Sequence, residues 1–146
     1  QMCIRDSLRN PHSTRPWQHV LDCVYGYCFL INRVDFKTNG QPWNVGPENG
    51  SSLSVLDLAK RIVDSFGGRL DFNLANEGPP EDQFLEIDCK KILSLTGWSP
   101  ILTSEEMVQW TCSAELPKLS PGYTSVRDQI STYISLLSER LQVQSP

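Results

Sequence analysis

The sequence predicts an α/β chain weighted toward helix, with too few strands to make a complete doubly wound sheet. Three observations lead there. An apolar stretch over 19–34 precedes a short run over 42–46 that stops at Gly46-Pro47, the order of half a parallel crossover. A second helix-then-strand pair follows over 52–74. From Asp88 onward the periodicity is helical alone.

The first residues, 1–7, carry neither a period nor a cap, and read as a non-native or disordered N-terminus. Residues 8–18 hold Pro11 and Pro16 and read as an extended segment, because proline pushes the residue before it out of the helical region. In 19–34 the apolar positions (Val20, Leu21, Val24, Tyr27, Leu30, Ile31 among them) cover most of a helical circumference, so this helix is expected to be buried on more than one side. Gly26 in its middle marks a local cost or a close approach of another backbone. Residues 42–46 read as a short strand.

Ser54, with Asp57 three residues on, caps a helix with Val55, Leu58, Ile62 and Phe66 on one face, and Gly67-Gly68 stops it. Leu70, Phe72 and Leu74 alternate as in a half-buried strand. Asp88 is expected to cap a short helix ending at Gly97. Thr103 and Glu106 form a capping box that opens a helix burying Met107, Val108 and Trp110. Ser125 and Asp128 start a last helix whose stripe is Ile130, Ile134, Leu137 and Leu141, and 142–146 form a frayed tail.

The composition excludes several classes of function. Hydrophobic residues make up 39% and charged residues 21%, with a net charge of −4, so the chain is globular and lacks the basic face that phosphate backbones require. No 18-residue apolar run predicts a membrane span, and Arg5, Asp6 and Arg9 interrupt any signal-peptide core. The five cysteines are scattered with no CxxC, which fits thiols in a reducing, cytoplasmic setting rather than a disulfide or zinc framework. His12 and His19 lack the Cys/His company of a metal site and read as side chains bonded to backbone or water. The sequence has no GxGxxG, no P-loop, no HExxH and no Tyr-x-x-x-Lys, so no catalytic, cofactor-binding or metal-binding residue is nominated.

What remains is the polar cluster from Arg9 to Asp22, with Asn10, His12, Ser13, Thr14 and Arg15 ahead of the first helix. Guanidinium forks suit diphosphate oxygens. The competing reading is a solvated polar turn. Asn44 sits where ligands gather in α/β sheets, at the carboxyl end of a strand, or else satisfies turn backbone. Asp22 reads as a cap or first-turn acid, and Trp43, Trp98 and Trp110 as core anchors.

Arg9-Asn10-Pro11, with Thr14-Arg15-Pro16-Trp17-Gln18-His19-Val20-Leu21-Asp22 and Gly26-Tyr27, resembles a signature stretch of the CDP-glucose 4,6-dehydratases. Trp43-Asn44-Val45-Gly46-Pro47 resembles the same family's strand, as do Leu85-Glu86-Ile87-Asp88-Cys89-Lys90-Lys91 and Gly97-Trp98-Ser99-Pro100. The last three are shared with many extended short-chain dehydrogenase/reductase sugar enzymes. The resemblance implies a C-terminal fragment of an NAD(P)-binding Rossmann-fold enzyme. Residues 19–47 would be the last helix–strand crossover, while 8–18 and 48–141 would form a mostly helical nucleotide-sugar lobe. NAD and the catalytic Tyr and Lys would belong to an N-terminal portion outside this sequence.

The implied reaction turns CDP-glucose into CDP-4-keto-6-deoxyglucose by hydride removal from C4, loss of water across C5 and C6, and hydride return to C6. Arg15 would meet the diphosphate and Asn44 the nucleotide, with Arg9 and Asn10 in the same stretch. The longer enzyme would be a homo-oligomer, and the fragment alone inactive. The loop before Leu85 departs from the pattern: Glu77, Pro80, Glu81 and Gln83 stand where related dehydratases carry an arginine or paired histidines. Two rivals stay open: another nucleotide-sugar epimerase, dehydratase or reductase, and a non-catalytic binding or interaction module.

Overall fold

The computed structural model describes residues 3–8, 10–33, 39–74, 82–115 and 124–143. Strand β1 (Cys3–Leu8) pairs in parallel with β4 (Arg69–Leu74), and β2 (Thr14–Arg15) pairs antiparallel with β3 (Leu53–Ser54). Phe84 adds a parallel bridge to Thr14. Five helices follow the chain: α1 (Val20–Ile31), α2 (Val55–Ser65), α3 (Lys90–Thr96), α4 (Ser104–Glu115) and α5 (Val126–Val143).

Most helix ends form where the sequence placed them. The Ser54 hydroxyl accepts from the Asp57 amide at 3.0 Å, and Gly67 at φ 61° lets Gly68 N–H reach the Val63 carbonyl at 3.0 Å, which closes α2. Thr103 and Glu106 exchange amide bonds at 2.8 and 3.2 Å at the start of α4, and Ser125 accepts from Asp128 N–H at 3.2 Å at the start of α5.

Several expectations need correction. Residues 3–7 belong to a paired strand. Its partner arrives only after α2, so the pairing leaves no local mark in the sequence. Residues 42–46 form no ladder, because no strand lies beside them among the described residues. Cys89, not Asp88, is the N-cap of α3; the Asp88 carboxylate still accepts from Lys90 N–H at 2.8 Å. Finally, α5 is turned relative to its predicted stripe: Gln129 and Tyr133 are buried, while Ile130, Ile134 and Leu141 are exposed. Gln129 donates to the Trp110 carbonyl at 2.6 Å and the Ser113 hydroxyl at 2.9 Å, so its burial leaves no amide hydrogen stranded.

The core is three small clusters. Cys89, Ile92 and Trp98 pack with Tyr25, Phe29, Trp43 and Val45. Ile101, Leu102 and Tyr133 pack with Leu21, Trp110 and Leu137. Met107, Val108 and Cys112 meet the α2 face formed by Leu58, Ile62 and Phe66. The helix α1 joins the first two clusters through Tyr25 and Leu21. Its opposite side, Val20, Val24, Tyr27 and Ile31, is exposed, so α1 is buried on one side only. No helix among the described residues is long and apolar enough to cross a membrane.

Candidate functional site

The extended segment 82–88 links two of the sequence's candidates. At its start, Arg15 Nη1 donates to the Thr14 carbonyl at 2.7 Å and the Asp82 carbonyl at 3.1 Å. Thr14 N–H donates to the Gln83 carbonyl at 2.8 Å, and Leu85 N–H returns to Thr14 O at 3.3 Å. At its other end, Asn44 Nδ2 donates to the Asp88 carbonyl at 3.1 Å. The six steps from Asp82 to Asp88 span at most about 22 Å, which sets the scale of the separation. Of two cavities among the described residues, Arg15 lines neither and Asn44 lines one. The structure therefore places the two residues along one segment rather than in one cavity.

The Asn44 cavity, of about 420 Å³, is lined by Tyr27, Trp43, Asn44, Val45, Glu86, Ile87 and Asp88. Its walls are fixed by neighbours. Lys91 Nζ lies 4.5 Å from the centre of the Trp43 ring and donates to the Pro42 carbonyl at 2.9 Å. Aromatic faces beside an amide and two carboxylates can stack a flat ring or a sugar and accept from hydroxyls. Asn10 lies in the turn before β2, where its carbonyl accepts from Ser13 N–H at 3.1 Å. Arg9, Glu77, Pro80 and Glu81 lie outside the described residues.

A larger cavity of about 520 Å³ lies between the start of α1, the 47–51 loop and residues 98–104. Its most buried polar group is Asp22, 1% exposed. This carboxylate accepts from Ile101 N–H at 2.8 Å, Leu102 N–H at 3.2 Å and the Tyr133 hydroxyl at 2.6 Å. Burial, followed by the bond to Asp22, holds the Tyr133 phenol above its usual range. Arg140 donates to the Ile101 carbonyl and pairs with Glu106 at 3.1 Å. These bonds tie α1, α4, α5 and residues 101–102 together, with Asp22 as the fastener of the junction.

His19, at the rim, is the N-cap of α1: Nδ1 accepts from Leu21 N–H at 3.2 Å. Its ring meets Trp110 edge-on at 6.0 Å. Burial lowers its pKa, and the Asp22 charge opposes that only in part. Among the described residues no cluster of three His, Cys, Asp or Glu side chains could hold a metal.

The Asp22 junction had a partial signal in the sequence: an acid in the first turn of an apolar helix. Its partners did not, since they lie on two other segments. Tyr27 and Glu86 as cavity walls were also missed; they are recognisable only once 82–88 is laid beside α1.

No family model matches the chain. In sequence it is 35% identical to a CDP-glucose 4,6-dehydratase of Salmonella typhimurium over 98 residues, covering 64% of this chain and 27% of that protein. It is 33% identical over 94 residues to a UDP-glucuronic acid decarboxylase 1 of Xenopus tropicalis, covering 64% of this chain and 21% of the relative. In structure it is similar to a dTDP-glucose 4,6-dehydratase of Bacillus anthracis solved with NAD: TM-score 0.58 and 18% identity, over 73% of this chain and 32% of that one. The chain spans about a quarter of the length of the curated relatives it matches. In sequence the chain is thus similar to part of a CDP-glucose 4,6-dehydratase, and in fold to part of a Rossmann-type dehydratase.

Proposed function

We propose that this chain is the nucleotide-sugar-binding part of a longer NAD-dependent 4,6-dehydratase that acts on CDP-glucose. The observation that carries the reading is the 35% identity to a CDP-glucose 4,6-dehydratase, together with the joining of Arg15 and Asn44 by one segment, 82–88. In this reading Arg15 meets the diphosphate, and two carbonyls on one guanidinium nitrogen fix the plane of its fork. Asn44, with Tyr27 and Trp43 beside it, meets the nucleotide end. Arg9 and Asn10 extend the phosphate side. Contacts far from the reacting carbons supply the binding energy that orients the sugar.

This chain's residues do not fit NAD. The sequence carries no glycine fingerprint between a strand and a helix, and no Tyr-x-x-x-Lys. The cofactor and the proton-transfer residues are therefore assigned to the rest of the longer enzyme, and no chemical step is assigned to residues here. The exposed stripe Val20, Val24, Tyr27 and Ile31 on α1 supports that division, since a bare apolar helix face favours a covering neighbour. A cytoplasmic location and a homo-oligomeric assembly of the longer enzyme complete the proposal.

The match to a UDP-glucuronic acid decarboxylase favours a second reading, a uridine nucleotide sugar as ligand. Calorimetric titration of the longer enzyme with CDP-glucose, UDP-glucose and dTDP-glucose separates the two. Tightest binding of CDP-glucose, with NAD-dependent release of a 4-keto-6-deoxy product, is the expected result. A preference for UDP-glucose or UDP-glucuronic acid overturns the substrate assignment. NAD-dependent dehydratase turnover by the 146-residue chain alone overturns the division of labour.

A further inference from the structure

Residues 44–46 thread between two surfaces that approach unusually closely. On one side is α1 at Gly26: a Cβ there would stand 2.5 Å from Val45 Cγ1 and 3.2 and 3.3 Å from two atoms of the Trp98 ring. On the other side are residues 87–89: a Cβ on Gly46 would stand 3.1 Å from Cys89 Sγ and 3.3 Å from two Ile87 atoms. The first distance is too short for two non-bonded carbons, and Trp98, 1% exposed, has no room to retreat. The yielding part is Val45, with the segment that carries it. Asn44, the next residue, is tied by its side chain to Asp88 and lines the cavity shared with Tyr27 and Trp43.

We propose that Gly26 is a positioning residue for the candidate site: by admitting Val45 against the α1 backbone, it fixes where Asn44 stands relative to segment 82–88. The consequence for ligand binding rests on the function proposed above; the consequence for the place of Asn44 does not. Gly26 touches no ligand and acts only through Val45. Its lack of a side chain is a steric requirement, since the residue lies inside a regular helix where glycine otherwise lowers stability.

The test uses the full chain in four forms: wild type, Gly26→Ala, Gly26→Ala with Val45→Ala, and Val45→Ile. Two quantities are read, the affinity for CDP-glucose by calorimetry and the NMR resonances of the Asn44 side-chain amide. Gly26→Ala is expected to weaken binding about tenfold and to move the Asn44 resonances, as overpacking a tight contact displaces what can yield. Removing Cγ1 in the double variant returns the space, so both readouts are expected to recover to within about threefold of wild type, a coupled pair rather than two additive losses. Should Gly26→Ala fail to fold, Val45→Ile presses on the same contact with one methyl group and is expected to shift the Asn44 resonances in a folded chain. Unmoved Asn44 resonances in a folded Gly26→Ala or Val45→Ile variant overturn the proposal, as does a double variant that stays as displaced as the single. If wild type binds no nucleotide sugar, the functional reading fails by itself, and the resonances still decide the role of Gly26.

Discussion

The Asp22 junction and the 82–88 segment are both built on side chain–to–backbone hydrogen bonds, yet they differ in exposure. Asp22 is sealed, and each of its three donors is buried with it. Asn44 and the residues at 82–86 face water, so each bond there competes with solvent. The same kind of bond therefore has different consequences. At Asp22 it holds three segments in place, and at Asn44 it orients an amide on an accessible surface. The larger of the two cavities adjoins the rigid junction, while Arg15 and Asn44 bond to the open segment.

The strongest way to break that contrast is Asp22→Ala. It strands two amides and a phenol in a closed interior, and loss of about 3–5 kcal/mol of unfolding free energy is expected in chemical denaturation. A loss below about 1 kcal/mol would mean that water reaches the junction and that it is no more sealed than the 82–88 surface. Next comes the facing of α5. Gln129→Ala removes the donor to Trp110 and Ser113 and is expected to cost about 1–3 kcal/mol, whereas Ile130→Ala, on the exposed side, should stay within about 0.5 kcal/mol. The reverse order would restore the apolar stripe as the buried face.

What the sequence disclosed, and what it withheld, divides along the same line. The caps at Ser54, Thr103 and Ser125 and the stop at Gly67 were legible because each is decided within four residues. The facing of α5 was not, because a stripe of Ile130, Ile134 and Leu141 scores better on hydrophobicity than Gln129 and Tyr133. The polar pair wins burial only through partners on α1 and α4, which no local pattern carries. The β1–β4 pairing was hidden for the same reason, and the expected strand at 42–46 has no strand beside it among the described residues. For the candidate site, Arg15 and Asn44 were marked by residue type and resemblance. Their connection through 82–88 depends on a segment whose own sequence has no regular period.

His19 gives a titratable handle on the junction side. Its folded pKa lies below the usual 6.5, so at pH values just under 6.5 the unfolded chain binds the proton and the folded one does not. Stability is then fully present above about pH 6.5 and declines as the pH falls from there toward the folded pKa. Protonation also removes the Nδ1 lone pair that caps α1. The melting temperature should fall as the pH drops below about 6.5. His19→Asn, which keeps a capping acceptor, should flatten that slope. A slope unchanged in the variant would locate the pH sensitivity elsewhere.

The smallest expected change in stability belongs to Asn44→Ala, and it sharpens the comparison most. Its bond to the Asp88 carbonyl lies in an exposed setting, where water replaces either partner when the other is lost. Denaturation should therefore register no more than about 0.5 kcal/mol. The carbonyl it releases is not buried as the donors around Asp22 are, and α3 keeps its own hold through the Asp88 carboxylate on Lys90 N–H. If the amide serves only the fold, titration with CDP-glucose will not distinguish Asn44→Ala from wild type. If it orients a ligand beside Tyr27 and Trp43, affinity falls while stability stays, a separation that Asp22→Ala cannot produce because it disturbs both.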